Sequence, residues 1–197
     1  MSNQLIDFIK LFSHIPAEDE ALLMAGMENR HYKEGDYAFK GNKICREMFF
    51  VCKGVLRIKV TNEIGNEVTH FFVKENKFCS ILNSFNNQVI AREHIQAACD
   101  TEVLVISRAD LDELYLKLAY LKPLITEITQ QALLDKIAVR NGYLGLDSTT
   151  RYKMFLMRQP EIAYRVPLSD IASYLGITPQ SLSRIRKNMN KSLFTIC

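Results

Sequence analysis

The chain has 197 residues, 25 Lys+Arg against 22 Asp+Glu for a formal net charge of +3, and 48% hydrophobic residues. That is enough apolar material for one large domain or two small ones, which excludes a disordered or fibrous chain. The apolar runs are short and broken by charge, and Met1–Lys10 lacks the basic start and apolar stretch of a secretory signal, so a cytoplasmic protein with no membrane span is expected.

Leu5, Ile6, Phe8, Ile9 and Phe12 keep helical spacing until Pro16, and a second helical pattern covers Glu18–Met27. From Gly35 the period becomes two. Asp36–Lys40, Glu47–Cys52, Val55–Thr61, Glu67–Lys74, Val89–Ala98 and Glu102–Ile106 read as short strands, separated by Gly41-Asn42, Lys53-Gly54, Asn62 to Asn66 and Asn83 to Asn87. Such spacing predicts an antiparallel sandwich or jelly roll rather than a parallel sheet with crossover helices. Cys45, Cys52, Cys79, Cys99 and Cys197 lie scattered among these elements with no C-x-x-C pair, the pattern of free thiols rather than of a disulfide framework or a zinc site.

At Ser107 the helical period returns. Ser107 or Asp110 can cap a short helix, and Pro123 stands near the start of a longer one running to about Asn141. Apolar residues cover more than one face of the long helix. One stripe could pack on the sandwich and another form a dimer seam, or both could be internal core. Gly142 and Gly145 end the helix, and Asp147-Ser148 can cap the next, Thr149–Arg158.

The charge is unevenly placed. Residues 1–107 carry 12 basic and 14 acidic side chains, 108–145 carry 5 and 5, and 146–197 carry 8 and 3, so the basic excess lies in the last quarter. There, Ile171, Ala172 and Leu175 form the inner face of one short helix, and Ile177, Leu182 and Ile185 that of the next. Gly176 stands between them where a tight turn needs a positive φ. Thr178 can cap the second helix, with Pro179 at its first position. The spacing is that of a helix-turn-helix; a generic helical hairpin would share the Gly and some of the apolar positions. It would not account for the second helix's outward Gln180, Ser181, Ser183, Arg184, Arg186, Lys187 and Lys191, with no acid from Ile171 onward. In a major groove, Gln180, Ser181 and Arg184 are the candidate base readers. Arg186, Lys187, Lys191, Thr178 and Ser169 are candidate phosphate contacts, with helix capping an equal alternative for Ser169.

End to end, the chain resembles the Crp/Fnr family of bacterial transcription regulators. The local matches are Phe49–Arg57, which looks like the family's strand-turn-strand signature, and Leu168–Arg186. The resemblance implies an α+β chain: an N-terminal antiparallel β jelly roll of the cyclic-nucleotide-binding type (1–120), a long dimerisation helix and hinge (121–145), and a helix-turn-helix domain (146–197). That last domain would be winged-helix-like, with its wing truncated because the sequence ends at Cys197. The implied partners are a homodimer mate and double-stranded DNA with a palindromic operator, with RNA polymerase a further candidate; no cofactor is implied.

Two departures matter. Where cyclic-AMP-binding members carry a Gly-Glu-Leu turn for the ribose, this chain has Phe78-Cys79-Ser80-Ile81, and the phosphate-holding Arg-Ser positions fall on Ala91 and Arg92. Arg92 would thus point to the opposite face of its strand, and ordinary cyclic AMP binding is not expected. Phe72, Phe78, Ser80, Ile81 and Arg92 are the candidate effector contacts, although aromatic and β-branched residues in such positions are more often sandwich core. The second departure is that no Cys precedes Cys45, which excludes the N-terminal iron–sulfur arrangement of oxygen-sensing relatives.

Catalysis has no support: His14, His31, His70 and His94 are far apart, and no P-loop, G-x-G-x-x-G or G-x-S-x-G occurs. A ligand- or protein-binding regulatory module that retains cyclic-nucleotide binding, its basic end contacting a partner protein, is the alternative to a DNA-binding regulator.

Overall fold

A computed structural model describes residues 2–194, with side chains for 4–189. Two helices, α1 (Ser2–Lys10) and α2 (Ala17–Ala25), lead into the strands β1 (Glu28–Tyr32), β2 (Tyr37–Phe39), β3 (Lys43–Ile44), β4 (Glu47–Lys53), β5 (Val55–Thr61), β6 (Glu67–Lys74) and β7 (Phe78–Cys79). After α3 (Leu82–Asn87) come β8 (Ile90–Ala91), β9 (His94–Ala97) and β10 (Thr101–Ser107). The rest of the described chain is helical: α4 (Arg108–Lys117), α5 (Leu121–Asn141), α6 (Ser148–Arg158), α7 (Pro160–Ala163), α8 (Leu168–Leu175) and α9 (Pro179–Phe194).

The strands form two four-stranded sheets, β1-β10-β4-β7 and β2-β9-β5-β6, and a small β3-β8 ribbon, with antiparallel pairing throughout. Alternation along the strands fills both faces of each sheet. Phe49, Val51, Val103 and Val105 meet Leu56, Ile58, Val73 and Ile95 between the sheets. Met48, Phe50, Leu104 and Ile106 face outward beneath α1, α2, α4 and the first half of α5. On the second sheet, Val55 and Phe72 face outward into a core shared with α6 to α9.

The expected elements differ from the observed ones where several short segments replace one. The run Val89–Ala98 is broken into β8 and β9, and the Asn-rich stretch expected as a turn is α3, whose Phe85 is buried. Strand β1 and helix α7 also went unread: β1 carries Glu28, Asn29, Arg30 and His31 on a largely exposed edge and offers no alternating apolar pattern. Residues 195–197, where truncation of a wing was expected, lie outside the described residues. No strand follows β10 among the described residues.

Register in the β5–β6 pair shifts between Ile58 and Lys59, which pair with Phe71 and Thr69, so His70 is the extra residue of a bulge. The bulge resets the alternation. Thr69 and Phe72 consequently share the outer face, although three residues apart.

Candidate nucleic-acid interface and its junction with the sandwich

Helix α8 ends at Gly176 in the left-handed region (φ 67°), and the Ile177 amide donates back to the Ala172 carbonyl at 3.0 Å. The turn is braced from outside by Arg151 on α6, which donates to the Leu175 carbonyl and, at 3.0 Å, to the Leu146 carbonyl. Thr178 Oγ1 accepts from the Ser181 amide at 3.1 Å and so caps α9. Ile171, Ala172, Leu175 and Leu182 are buried, with Ile177 and Ile185 packed against them. Asp147 caps α6 through the amides of Thr149 and Thr150, and the hydrogen bond from the Thr150 hydroxyl at 2.5 Å, with those amides, holds its carboxyl below the usual carboxylate range.

With the apolar side of α9 turned inward, Gln180, Ser183, Arg184, Arg186 and Lys187 are exposed, together with Thr178 at the cap; Ser181 is half-buried. Arg184, Arg186 and Lys187 form no ion pair with a carboxylate among the described residues. Lys191 lies beyond the described side chains. Ser169 is exposed but does not cap α8: the N-cap is Pro167, and Ser169 Oγ donates instead to Asp170 Oδ1 at 3.4 Å.

The first helix of the motif is seated on the sandwich through polar groups that sequence reasoning did not single out. Arg57, on the outer face of β5, donates to Asp170 Oδ1 at 2.5 Å, to Gln96 Oε1 at 2.6 and 3.0 Å and to Thr69 Oγ1 at 3.3 Å. Lys59, two residues on and on the same face, pairs with Glu67 at 2.5 Å, which holds the Glu67 carboxyl low. Burial raises the Asp170 carboxyl, and the neighbouring Arg57 only partly offsets this. Ser173 of α8 receives the Thr69 amide at 2.8 Å and donates to the Glu67 carbonyl at 3.0 Å. Arg165–Glu75 (2.5 Å) and Lys74–Glu161 add two outer ion pairs. The readable signal was the alternation of β5, which puts Arg57 and Lys59 on the face of the buried Val55.

The candidate effector residues do not converge. Ile81 and Ser80 line a groove of about 240 Å³ against α5, with His70 and Lys136. Ser80 Oγ is occupied by the Glu47 carbonyl at 2.9 Å, and Phe78 packs outward against Phe8 and Phe50. Phe72 is turned by the bulge to the opposite side of its sheet, with its ring centroid 5.1 Å from that of Tyr174. Ala91 is buried and Arg92 exposed, so Arg92 faces none of these spaces, as a neighbouring position on a strand must. Among the described residues no three His, Cys, Asp or Glu side chains gather in a metal-binding group.

The profile of the cyclic nucleotide-binding domain matches residues 29–117. Over this stretch the chain is similar to the cyclic nucleotide-binding domain family. The domain and the helices after it together have the fold of the Crp/Fnr regulators. The c-di-GMP-responsive regulator CLP of Xanthomonas campestris is similar over 90% of this chain and 93% of its own, at 18% identity and a TM-score of 0.71. A candidate Crp/Fnr-family regulator from Eubacterium rectale matches over 94% and 88% (17% identity, TM-score 0.70). The catabolite activator protein of Thermus thermophilus matches over 92% and 87% (19% identity, TM-score 0.55). A comparison with curated proteins finds no match. No helix among the described residues is long and apolar enough to cross a membrane.

Proposed function

We propose that the chain is a DNA-binding transcription regulator of the Crp/Fnr type rather than an enzyme, with a sensor unit over 1–120, a dimerisation helix and hinge over 121–145 and a DNA-binding unit over 146–197. The observation that carries this reading is the outward face of α9: exposed Gln180, Ser183, Arg184, Arg186 and Lys187 follow a capped, positive-φ turn, and no acidic side chain lies on α9. Gln180, Ser181 and Arg184 read bases, while Thr178, Ser169, Arg186 and Lys187 hold phosphates.

Homodimerisation is supported by α5, whose Leu133, Leu134 and Ile137 are 39%, 59% and 42% exposed while Leu124, Ile125 and Ile128 are buried on the first sheet. An operator with half-sites about 34 Å apart follows. Cyclic AMP is not the effector in the usual manner, because a buried Ala91 stands in place of a phosphate-binding Arg and Ser80 is already hydrogen-bonded.

Selection from random DNA with the purified protein tests the reading. It should yield a palindromic site whose affinity falls steeply with salt. Arg184→Ala should relax base preference, whereas Lys187→Ala should weaken all sites about equally. Leu134→Lys should give a monomer by sedimentation. Recovery of no preferred sequence overturns the proposal.

A further inference from the structure

Where β6, α5, α7 and α8 meet lies a cavity of about 150 Å³ that is separate from the groove against Ile81. It is lined by Phe71, Phe72 and Tyr174 together with Val139 and Ile162. A dry apolar cavity of about 150 Å³ is large enough for one benzene-sized ring. Four cations line the mouth, Lys74, Lys77, Lys136 and Arg158, against two acids, Asp135 and Glu161.

The acids are already engaged. Glu161 pairs with Lys74, and Asp135 accepts from Gln131 Nε2 at 2.9 Å. Among the described residues Lys77, Lys136 and Arg158 have no carboxylate within ion-pair distance. The Lys136 ammonium lies 5.7 Å from the centroid of the Phe71 ring, at the edge of the apolar wall. Burial, with Lys77 nearby, pulls Lys136 below the usual lysine range, so an anion beside it would remove a standing penalty.

We propose that this cavity binds a small aromatic monocarboxylate, its ring against Phe72 and Tyr174 and its carboxylate at Lys136 and Arg158. A flat ring suits the aromatic walls, and a single negative charge suits the unpaired cations at the mouth. The site joins strand β6 to the helices that carry the helix-turn-helix, but the inference does not depend on DNA binding.

The test uses the full chain and direct binding. Benzoate and phenylacetate are titrated by calorimetry against benzamide, and amide resonances are followed by NMR. Saturable binding of one carboxylate per chain, at least tenfold tighter than benzamide, is expected, with shifts at Arg158, Ile162 and Tyr174 rather than at Ile81 and Ser80. Lys136→Met should erase the carboxylate preference. Because Lys136 also lines the groove against Ile81, Val139→Phe, which fills only the junction cavity, should abolish binding of both compounds while the amide spectrum stays native. Failure of any probe to bind, equal binding of benzoate and benzamide, or shifts confined to Ile81 and Ser80 would overturn the proposal.

Discussion

The guanidinium of Arg57 on β5 and the carboxylate of Asp170 on α8 stand 2.5 Å apart, with side chains only 9% and 11% exposed, and they join residues 113 positions apart in sequence. A pair this buried offsets a large desolvation cost, and removing one member strands the other. Asp170→Asn should therefore destabilise the protein by about 3 kcal/mol, the lower end for such pairs, because Glu67 still lies 3.4 Å from Arg57. Arg57→Met with Asp170→Leu should cost less than the two single changes summed. Urea unfolding of the four proteins in a double-mutant cycle measures this; additive losses would contradict a coupled pair.

Two glycines in hairpin turns should behave differently. Gly54 has φ 100°, and a Cβ there would lie 2.5 Å from Thr101 Oγ1 and 2.6 Å from its Cα, whereas Gly65 (φ 82°) has nothing within 4 Å. Gly65→Ala should cost about 1 kcal/mol from backbone strain alone. Gly54→Ala adds a clash with backbone and should cost about 3 kcal/mol or more. Equal melting temperatures for the two variants would refute the difference.

Acid should weaken the fold before its carboxylates titrate. Burial lowers the pKa of both His70 and His94 below the usual imidazole value, and His94 Nδ1 accepts the Gly41 amide at 3.1 Å, a role open only to the neutral ring. The unfolded chain therefore takes up these protons first. Their contribution is complete above pH of about 6.5 and is lost as pH falls through that value toward the folded pKa values. Melting temperature should drop between about pH 7.5 and about pH 5.5, and His70→Gln with His94→Gln should flatten the slope.

Thr178 allows capping to be separated from DNA contact. Thr178→Ala removes the bond to the Ser181 amide and should cost about 1 kcal/mol. Thr178→Asp keeps a capping oxygen but sets a negative charge on the proposed DNA face. Its melting temperature should stay near that of the parent while DNA affinity falls; unchanged affinity would take Thr178 out of the interface.

What could be read from the sequence followed from local chemistry. Gly176, Thr178 and Pro179 specify a turn within a few residues, and the apolar spacing from Leu121 to Asn141 specifies a helix whatever surrounds it. Arg57 and Asp170 look like ordinary surface charges until two distant segments meet. The side on which Phe72 lies depends on the His70 bulge in β6, which no local residue pattern announces. Arg151 was likewise invisible, since the Leu175 carbonyl it braces lies 24 residues away.

Phe155 and Tyr174 of the C-terminal helices pack at a tilt against Phe72 of the sandwich at centroid separations of 6.5 and 5.1 Å, within one cluster that also holds Val55 and Ala98. A segment cut out as 146–197 would carry half of an aromatic core and leave the other half bare on the sheet. The boundary drawn by function is thus not a boundary of cooperativity. Heat or denaturant should melt sandwich and helix-turn-helix in one transition, and any signal that loosens the junction has to expose aromatic surface as it does so.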